Sequence, residues 1–430
     1  HDWYVLADSA ELTVPQGKLT VRAFQGLETA LATARVDTTD KESAELRVPL
    51  TRFYSAREAG WQSGNTHLHL QEVSRQQADR YLVEVSRADG LDLVFVSYLE
   101  RAIADLEYTT NKYTREDFER LSNQYVVFDN GEEHRHNFSA FEEGYGHVMM
   151  LHIQRLVQPV SIGPGIMKRG NDGIPLQRGI DTAREMGSTI IWCHNKWGHE
   201  DLPNWFSGRL HANNIFDGGT HGSYKHSFYP LLNVGLRVPF STGTDWFMYD
   251  FSRVYVPAQE RLSPTQWLEQ VRQGRTVITN GPLLELTVDD EPIGSTLQLS
   301  QPGKVHVQAT ARGRVDFERL QLIRNGQMVK EIKSQPRDGH FLAELDLDLP
   351  IEEPSWLAVR TPPPSDSRDP EFQAKTPVNE YGRELFSHSS PIYLQVAGRD
   401  VFQRPVAEEL LAEMQASREF VAGRGKFAND

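Results

Sequence analysis

The segment Gly64-Asn65-Thr66-His67-Leu68-His69-Leu70 carries two histidines two positions apart. Successive side chains of a β-strand point to opposite faces, so a strand here turns both imidazoles toward one site. Four expected strand ends downstream also finish on residues of metal-ligand type: Glu133, His147, His194 and Asp245. Imidazole and carboxylate together suit Zn²⁺, Mn²⁺ or Fe²⁺, and no thiolate is required. One or two such divalent ions acidify water and polarise the oxygen under attack, which is the chemistry of a hydrolase. A lone His147 or Asp245 is more often a satisfied polar residue than a ligand. Six such residues in order, each near a strand end, shift the reading to a metal centre.

Other residues near these positions suit proton transfer or charge stabilisation. Asp217, in Ile215-Phe216-Asp217-Gly218-Gly219, can orient a ligand histidine or shuttle a proton. An Asp before glycines is equally an ordinary turn former. Lys196, two positions after His194, can stabilise a developing anion; the plain alternative is a solvated lysine. His134 and His136 bracket Arg135, and strand alternation puts both histidines on the side opposite Glu133 and Arg135. His136 stands as a candidate catalytic group against the alternative of a supporting or surface histidine.

The glycine-rich run from Gly218 to His226 has the composition of a mobile flap or of a surface loop. It lacks the Gly-Lys-Ser/Thr ending of a phosphate-binding loop. Trp192, Trp197, Trp205, Trp246 and Tyr229 are candidates for walls around an aryl or sugar group, or for core. Arg135, Lys168, Arg169, Lys196 and Arg253 are the cations available to an anionic substrate. Cys193 is the only cysteine, so no intrachain disulfide forms, and alternation turns it away from His194 into packing.

The elements that position these residues follow from hydrophobic period. Residues 1–60 alternate apolar and polar positions and suggest a small antiparallel β-domain. From 61 to 282, apolar runs alternate with amphipathic helical patterns at Gln76–Ala88, Arg115–Asn123, Leu176–Met186 and Phe228–Val234. That rhythm gives about seven βα units and predicts an α/β barrel with the ligands at its C-terminal rim. Residues 283–404 return to β patterning, with a hairpin signal at Asn325-Gly326 and an exposed insert from Thr361 to Pro377; a β-sandwich fits. Residues 405–430 carry a terminal amphipathic helix.

Together the motifs resemble the PHP (polymerase and histidinol phosphatase) metallohydrolase superfamily. The resemblance is carried by Gly-Asn-Thr-His67-Leu-His69, Gly131-Glu132-Glu133, Gly146-His147-Val148 and Gly243-Thr244-Asp245. Gly274-Arg275-Thr276-Val277-Ile278-Thr279-Asn280-Gly281-Pro282, with Ser390-Pro391-Ile392-Tyr393, looks like the CehA/McbA branch. The resemblance implies a distorted (β/α)7 barrel flanked by the two β-domains. It implies that His67 and His69 bind a first metal with Glu133 and Asp245. Glu133 then bridges to a second metal completed by His147 and His194, with Glu132 as the alternative bridge. The family's third-metal ligands are missing: Ser97-Tyr98-Leu99, Glu72 to Arg75 and Asp245-Trp246-Phe247 stand in their places. At most two metals are therefore expected. The activity implied is hydrolysis of an ester or carbamate, with a phosphoesterase as the alternative.

Composition narrows the remaining classes. At 430 residues the chain is longer than one ordinary core. A net charge of −14 disfavours nucleic acid and anionic membrane as partners, and no run is long and apolar enough to span a bilayer. A small molecule, aromatic or sugar-containing, is the expected partner, and oligomeric state is open. A glycan-binding protein is the competing class; it predicts eroded ligands, yet only the third-metal set departs. The sequence opens on His1, as a processed or trimmed chain does, and a periplasmic or secreted location is the expectation.

Overall fold

Two strands, β1 (Lys18–Ala23) and β2 (Ala32–Asp37), pair antiparallel as a ribbon in the first 60 residues. The chain then enters β3 (Trp61–His69), β4 (Leu93–Tyr98), β5 (Val127–His136), β6 (Gly146–Leu151), β7 (Thr189–Cys193), β8 (Ala212–Asn214), β9 (Phe240–Ser241), β10 (Asp245–Trp246), β11 (Arg253–Pro257) and β12 (Val277–Thr279). Among the intervening helices are α1 (Arg75–Asp89), α2 (Arg115–Leu121), α3 (Leu176–Glu185), α4 (Asp201–Phe206), α5 (Tyr224–Ser227), α6 (Tyr229–Asn233) and α7 (Pro264–Arg272). The structure, a computed structural model, describes residues 3–6, 9–102, 106–138, 144–162, 171–196, 198–220, 222–248, 250–364 and 377–427.

Local chemistry sets the helix starts. Ser74 with Gln77, Thr114 with Asp117 and Ser263 with Gln266 each form a reciprocal capping box at the head of α1, α2 and α7. β4 is a continuous apolar run whose Leu93, Val94, Phe95 and Val96 are all fully buried, as a strand covered on both faces requires. Gly64 lets β3 lie against α7, since a Cβ there would stand 2.5 Å from the Trp267 ring.

The expected (β/α)7 barrel does not form. Among the described residues, strand accounts for 35% and helix for 21%, and the strands build large mixed and antiparallel sheets with no closed barrel. The ladder runs β9-β8-β7-β6-β5-β4-β3-β11-β12 and continues into C-terminal strands. β6 lies antiparallel to both β5 and β7. For β5 and β6 the reason is in the connection: only nine residues separate His136 from Gly146, fewer than the dozen or so that a parallel crossover needs. Hydrophobic period reports which elements form, not which way they pair. β10 pairs parallel with β3, matching Asp245 to Leu68, and this brings Asp245 beside the two histidines.

The C-terminal segment is likewise not a sandwich standing apart. Its strands are β13 (Leu283–Val288), β14 (Glu291–Pro292), β15 (Thr296–Leu299), β16 (Gly303–Gly313), β17 (Arg319–Arg324), β18 (Gln327–Lys333), β19 (Gln335–Arg337), β20 (His340–Ile351), β21 (Ser355–Arg360), β22 (Ser387–Ser389) and β23 (Ile392–Val396). β13, β14, β16, β19 and β20 make a five-stranded antiparallel sheet. β22 pairs with β12, so β15, β17, β18 and β21 to β23 extend the sheet that carries the histidines. Leu286, Val307 and Leu345 from the smaller sheet meet Leu322, Val359 and Leu394 of the larger one in a second core. Helix α8 (Arg404–Arg424) closes the described chain and buries Leu410. Part of the expected exposed insert, residues 365–376, lies outside the described residues.

Candidate metal centre

β3 delivers His67 and His69 fully buried and on the same face. Each ring is fixed through Nδ1. His67 Nδ1 is 2.7 Å from Asp217 Oδ2, and His69 Nδ1 is 2.9 Å from the Ser97 carbonyl oxygen. Both partners only accept hydrogen bonds, so both Nδ1 atoms donate. The two Nε2 atoms then face each other at 2.9 Å, as lone pairs if the rings are neutral. Lone pairs at that separation repel unless a cation lies between them.

Two carboxylates complete the group. Glu133 Oε2, from the C-terminal half of β5, lies 3.0 Å from His69 Nε2 and 3.7 Å from His67 Nε2. Asp245 Oδ1 lies 3.4 Å from His67 Nε2 and 3.7 Å from His69 Nε2. These separations bracket the ~3.3 Å edge of a tetrahedron built on metal–ligand bonds of ~2.0–2.1 Å. Asp245 Oδ1 is buried and accepts no hydrogen bond. His67, His69, Glu133 and Asp245 thus form a buried group that can hold a metal ion.

Glu133, His147 and His194 form a second group sharing the Glu133 carboxylate. Glu133 Oε1 lies 3.8 Å from His147 Nδ1 and 3.9 Å from His194 Nε2. His147 Nδ1 is buried without a hydrogen-bond partner. Arg135 crowds this side: its Nε donates to Glu133 Oε1 at 2.9 Å, and a second guanidinium nitrogen makes a shorter contact with the same oxygen. The first group is therefore the better prepared of the two, because its oxygen, Glu133 Oε2, is free of the guanidinium.

Charge favours a cation here. With neutral imidazoles, the carboxylates of Glu133, Asp217 and Asp245 face one guanidinium, that of Arg135, which leaves two negative charges uncompensated. One divalent ion cancels that excess. Burial resists charging His67, but Asp217 and Asp245 push its pKa well above the usual histidine range. Burial likewise opposes ionised Glu133, yet Arg135 and the two histidines hold its carboxyl well below the ordinary value. Burial raises Asp245 to about 6, with His67 pulling the other way. His194 falls to about 4 and His147 well below its usual value, burial being the first cause in each. Both therefore stay neutral near pH 7, the state in which a ring nitrogen can be a ligand.

The structure sorts the remaining sequence candidates. Asp217 is at the centre: its Oδ2 accepts from His67 and, at 2.7 Å, from Asn214, while its Oδ1 accepts no hydrogen bond. His136 is not at the centre. It lies with His134 and Glu132 on the opposite face of β5, because residues one position from Glu133 and three positions from it share that face. Glu132 is thereby removed as a bridging carboxylate. Lys196 turns away, its Nζ 2.6 Å from Glu413 on α8. Arg253, the first residue of β11, is buried and donates to the carbonyls of Phe251 and Asp89. Lys168, Arg169, Trp197 and His221 lie outside the described residues.

Cys193 corrects the alternation argument. It is buried as expected, but it lies with His67 and His194 close enough to share one ion. β7 ends at Cys193, so regular alternation does not extend to His194. Of the aromatic candidates, Trp192, Trp205 and Tyr229 are buried in the core. Trp246 does border the site, its ring centroid 5.4 Å from that of His69 and stacked on Tyr108 at 5.5 Å. Sequence reasoning missed Tyr108, which sits in no motif, and the Ser97 carbonyl, which no side-chain pattern reports. Within the Gly218–His226 run, Gly222, Ser223 and Tyr224 are buried, while Gly219 and His226 are exposed.

Where the resemblance would put third-metal ligands, packing side chains stand. Leu99 is buried beside Tyr108, and Phe247 meets Tyr81 edge-on at 5.5 Å. Among the described residues, no helix is long and apolar enough to cross a membrane. Comparison of the chain with family models, with curated proteins and with solved structures found no match.

Proposed function

We propose that this chain is a metal-dependent hydrolase that cleaves an ester or carbamate bond of a small molecule. One observation carries the reading: two buried Nε2 atoms 2.9 Å apart, each ring held through its Nδ1, in reach of two carboxylates. Zn²⁺, Mn²⁺ and Fe²⁺ all accept this donor set. The motif likeness to the PHP superfamily and its CehA/McbA branch supports the same reaction class.

A divalent ion bound here supplies Lewis acidity, polarising the scissile carbonyl and acidifying water. The chain's own groups do the rest. Asp217 and the Ser97 carbonyl fix the tautomer and tilt of the two imidazoles. Asp217 Oδ1, which accepts no hydrogen bond, is the candidate proton acceptor in this reading. Trp246, half-buried and stacked on the buried Tyr108, offers an aromatic face against which an aryl or sugar group stacks.

A second reading has its own observation. The Arg135 guanidinium, lying between Glu133 and the His147 side of the site, is the group that a phosphoryl oxygen would meet. Both are tested by metal analysis of the purified chain, followed by parallel assays with p-nitrophenyl acetate and p-nitrophenyl phosphate after chelation and after metal return. Metal-restored turnover of the acetate supports the esterase; metal-restored turnover of the phosphate alone moves the assignment to a phosphoesterase. Turnover that survives chelation and the His69→Ala substitution overturns both.

A further inference from the structure

The face of β5 opposite the centre repeats its donor arrangement in miniature. His134 Nδ1 is 2.8 Å from Glu132 Oε1, and His136 Nδ1 is 2.5 Å from Asp172 Oδ2. Both carboxylates also accept backbone N–H groups, Glu132 from Val157 at 2.8 Å and Asp172 from Ile174 at 3.1 Å. Both carboxylates therefore act as acceptors, and each Nδ1 is a donor. The two Nε2 atoms are left facing one another at 3.0 Å, within 0.1 Å of the His67–His69 separation of 2.9 Å. Both rings are almost wholly buried. Nothing in the hydrolase reading uses them.

Space for an ion adjoins these nitrogens. Gly179 of α3 faces His134, and the position a Cβ would occupy there is 2.4 Å from His134 Nε2. Gly179 thus packs directly on the His134 ring, and any side chain there would displace it. Beside it lies a cavity of about 270 Å³ lined by both histidines, Gln158, Arg178, Asp181 and Thr182. Its polar lining leaves room for water to complete a coordination sphere that two protein nitrogens begin.

We propose that His134 and His136 form a second, separate binding site for an imidazole-preferring divalent cation of the Zn²⁺ class. Glu132 and Asp172 act as the carboxylates that orient the two rings, the role such partners play behind metal-bound histidines. The site is independent of the proposed reaction, because it lies on the far side of β5 from Glu133.

The test uses the full chain with the catalytic-side groups disabled by His69→Ala, His147→Ala and His194→Ala, which leave that side a single imidazole, His67, dialysed against Zn²⁺ alone. One Zn²⁺ retained per chain, with affinity lowered at least tenfold by a further His136→Gln change, is the expected result. Zinc K-edge absorption of this triple variant gives a readout that needs no further substitution. Two imidazole nitrogens in its first shell support the site. A folded triple variant that retains no zinc, or zinc with fewer than two imidazole nitrogens, overturns it, leaving the pair as two rings sharing a proton.

Discussion

His67 and His69 can act as ligands only while their Nδ1 protons are held elsewhere, so Asp217 matters as much as the nitrogens it orients. Removing it with Asp217→Ala frees the His67 ring and leaves Asn214 without its acceptor. Metal affinity should fall about 10–100-fold, read by competition with a chromophoric chelator; an unchanged affinity would show that His67 is not a ligand. Gly218 serves the site through what it lacks. Its φ is +66°, and a Cβ there would stand 2.7 Å from Asp245 Oδ2. Gly218→Ala should weaken metal binding by displacing that carboxylate. Gly208→Ala is the control, since its φ is +69° but no atom lies within 4 Å of the added carbon. Equal loss of affinity in both variants would contradict the steric account.

At the scale of elements, the helices carry their own signals and the short segments around them do not. α1 runs from Arg75 to Asp89 and α3 from Leu176 to Glu185, within two residues of the ranges their hydrophobic period predicts. Ser74 and Thr114 are ordinary cap residues, visible as such in the chain. The short α4 is a different case, because tertiary burial sets its chemistry. Asp201 at its start is driven up to about 7 by burial, with nearby Lys196 pulling down and Glu413 pushing up. Its folded pKa thus exceeds the ordinary carboxyl value of 3.8, so the folded state holds a proton that the unfolded chain releases. Stability should fall as pH rises from about 4 to about 7 and level off above that. A shift of this size is worth up to ~4 kcal/mol. Asp201→Asn should therefore stabilise the protein at pH 8 and change little at pH 4, measured by thermal melts at both. A gain that is the same at both pH values would reject the assignment.

For the whole molecule, the decisive feature is that one sixteen-stranded sheet runs from the histidine strand β3 through β11 and β12 to β22. Ile278 of β12 is paired with His388 of β22, and His388 in turn meets the Tyr229 hydroxyl of α6 at 2.8 Å. The C-terminal strands and the metal-binding strands should then unfold together. Adding Zn²⁺ should raise a single cooperative transition, by ~2.7 kcal/mol at a hundred times the dissociation constant. Calorimetry that resolves two transitions, with only one responding to metal, would separate the sheet into independent units.

The sequence alone determined the ligand types and their local facing. Two residues is the period of a strand, so His67 and His69 share a side in any strand that contains them, and Glu133 must oppose His134 and His136 by the same rule. It also determined where helices with caps begin. Only the tertiary structure decided that Lys196 stands away from the centre, that Cys193 faces it, and that the strands form an open mixed sheet instead of a barrel. Those outcomes depend on pairing direction, on where regular alternation stops, and on contacts between residues far apart in the chain. Hydrophobic period is a local property and holds no information about any of the three.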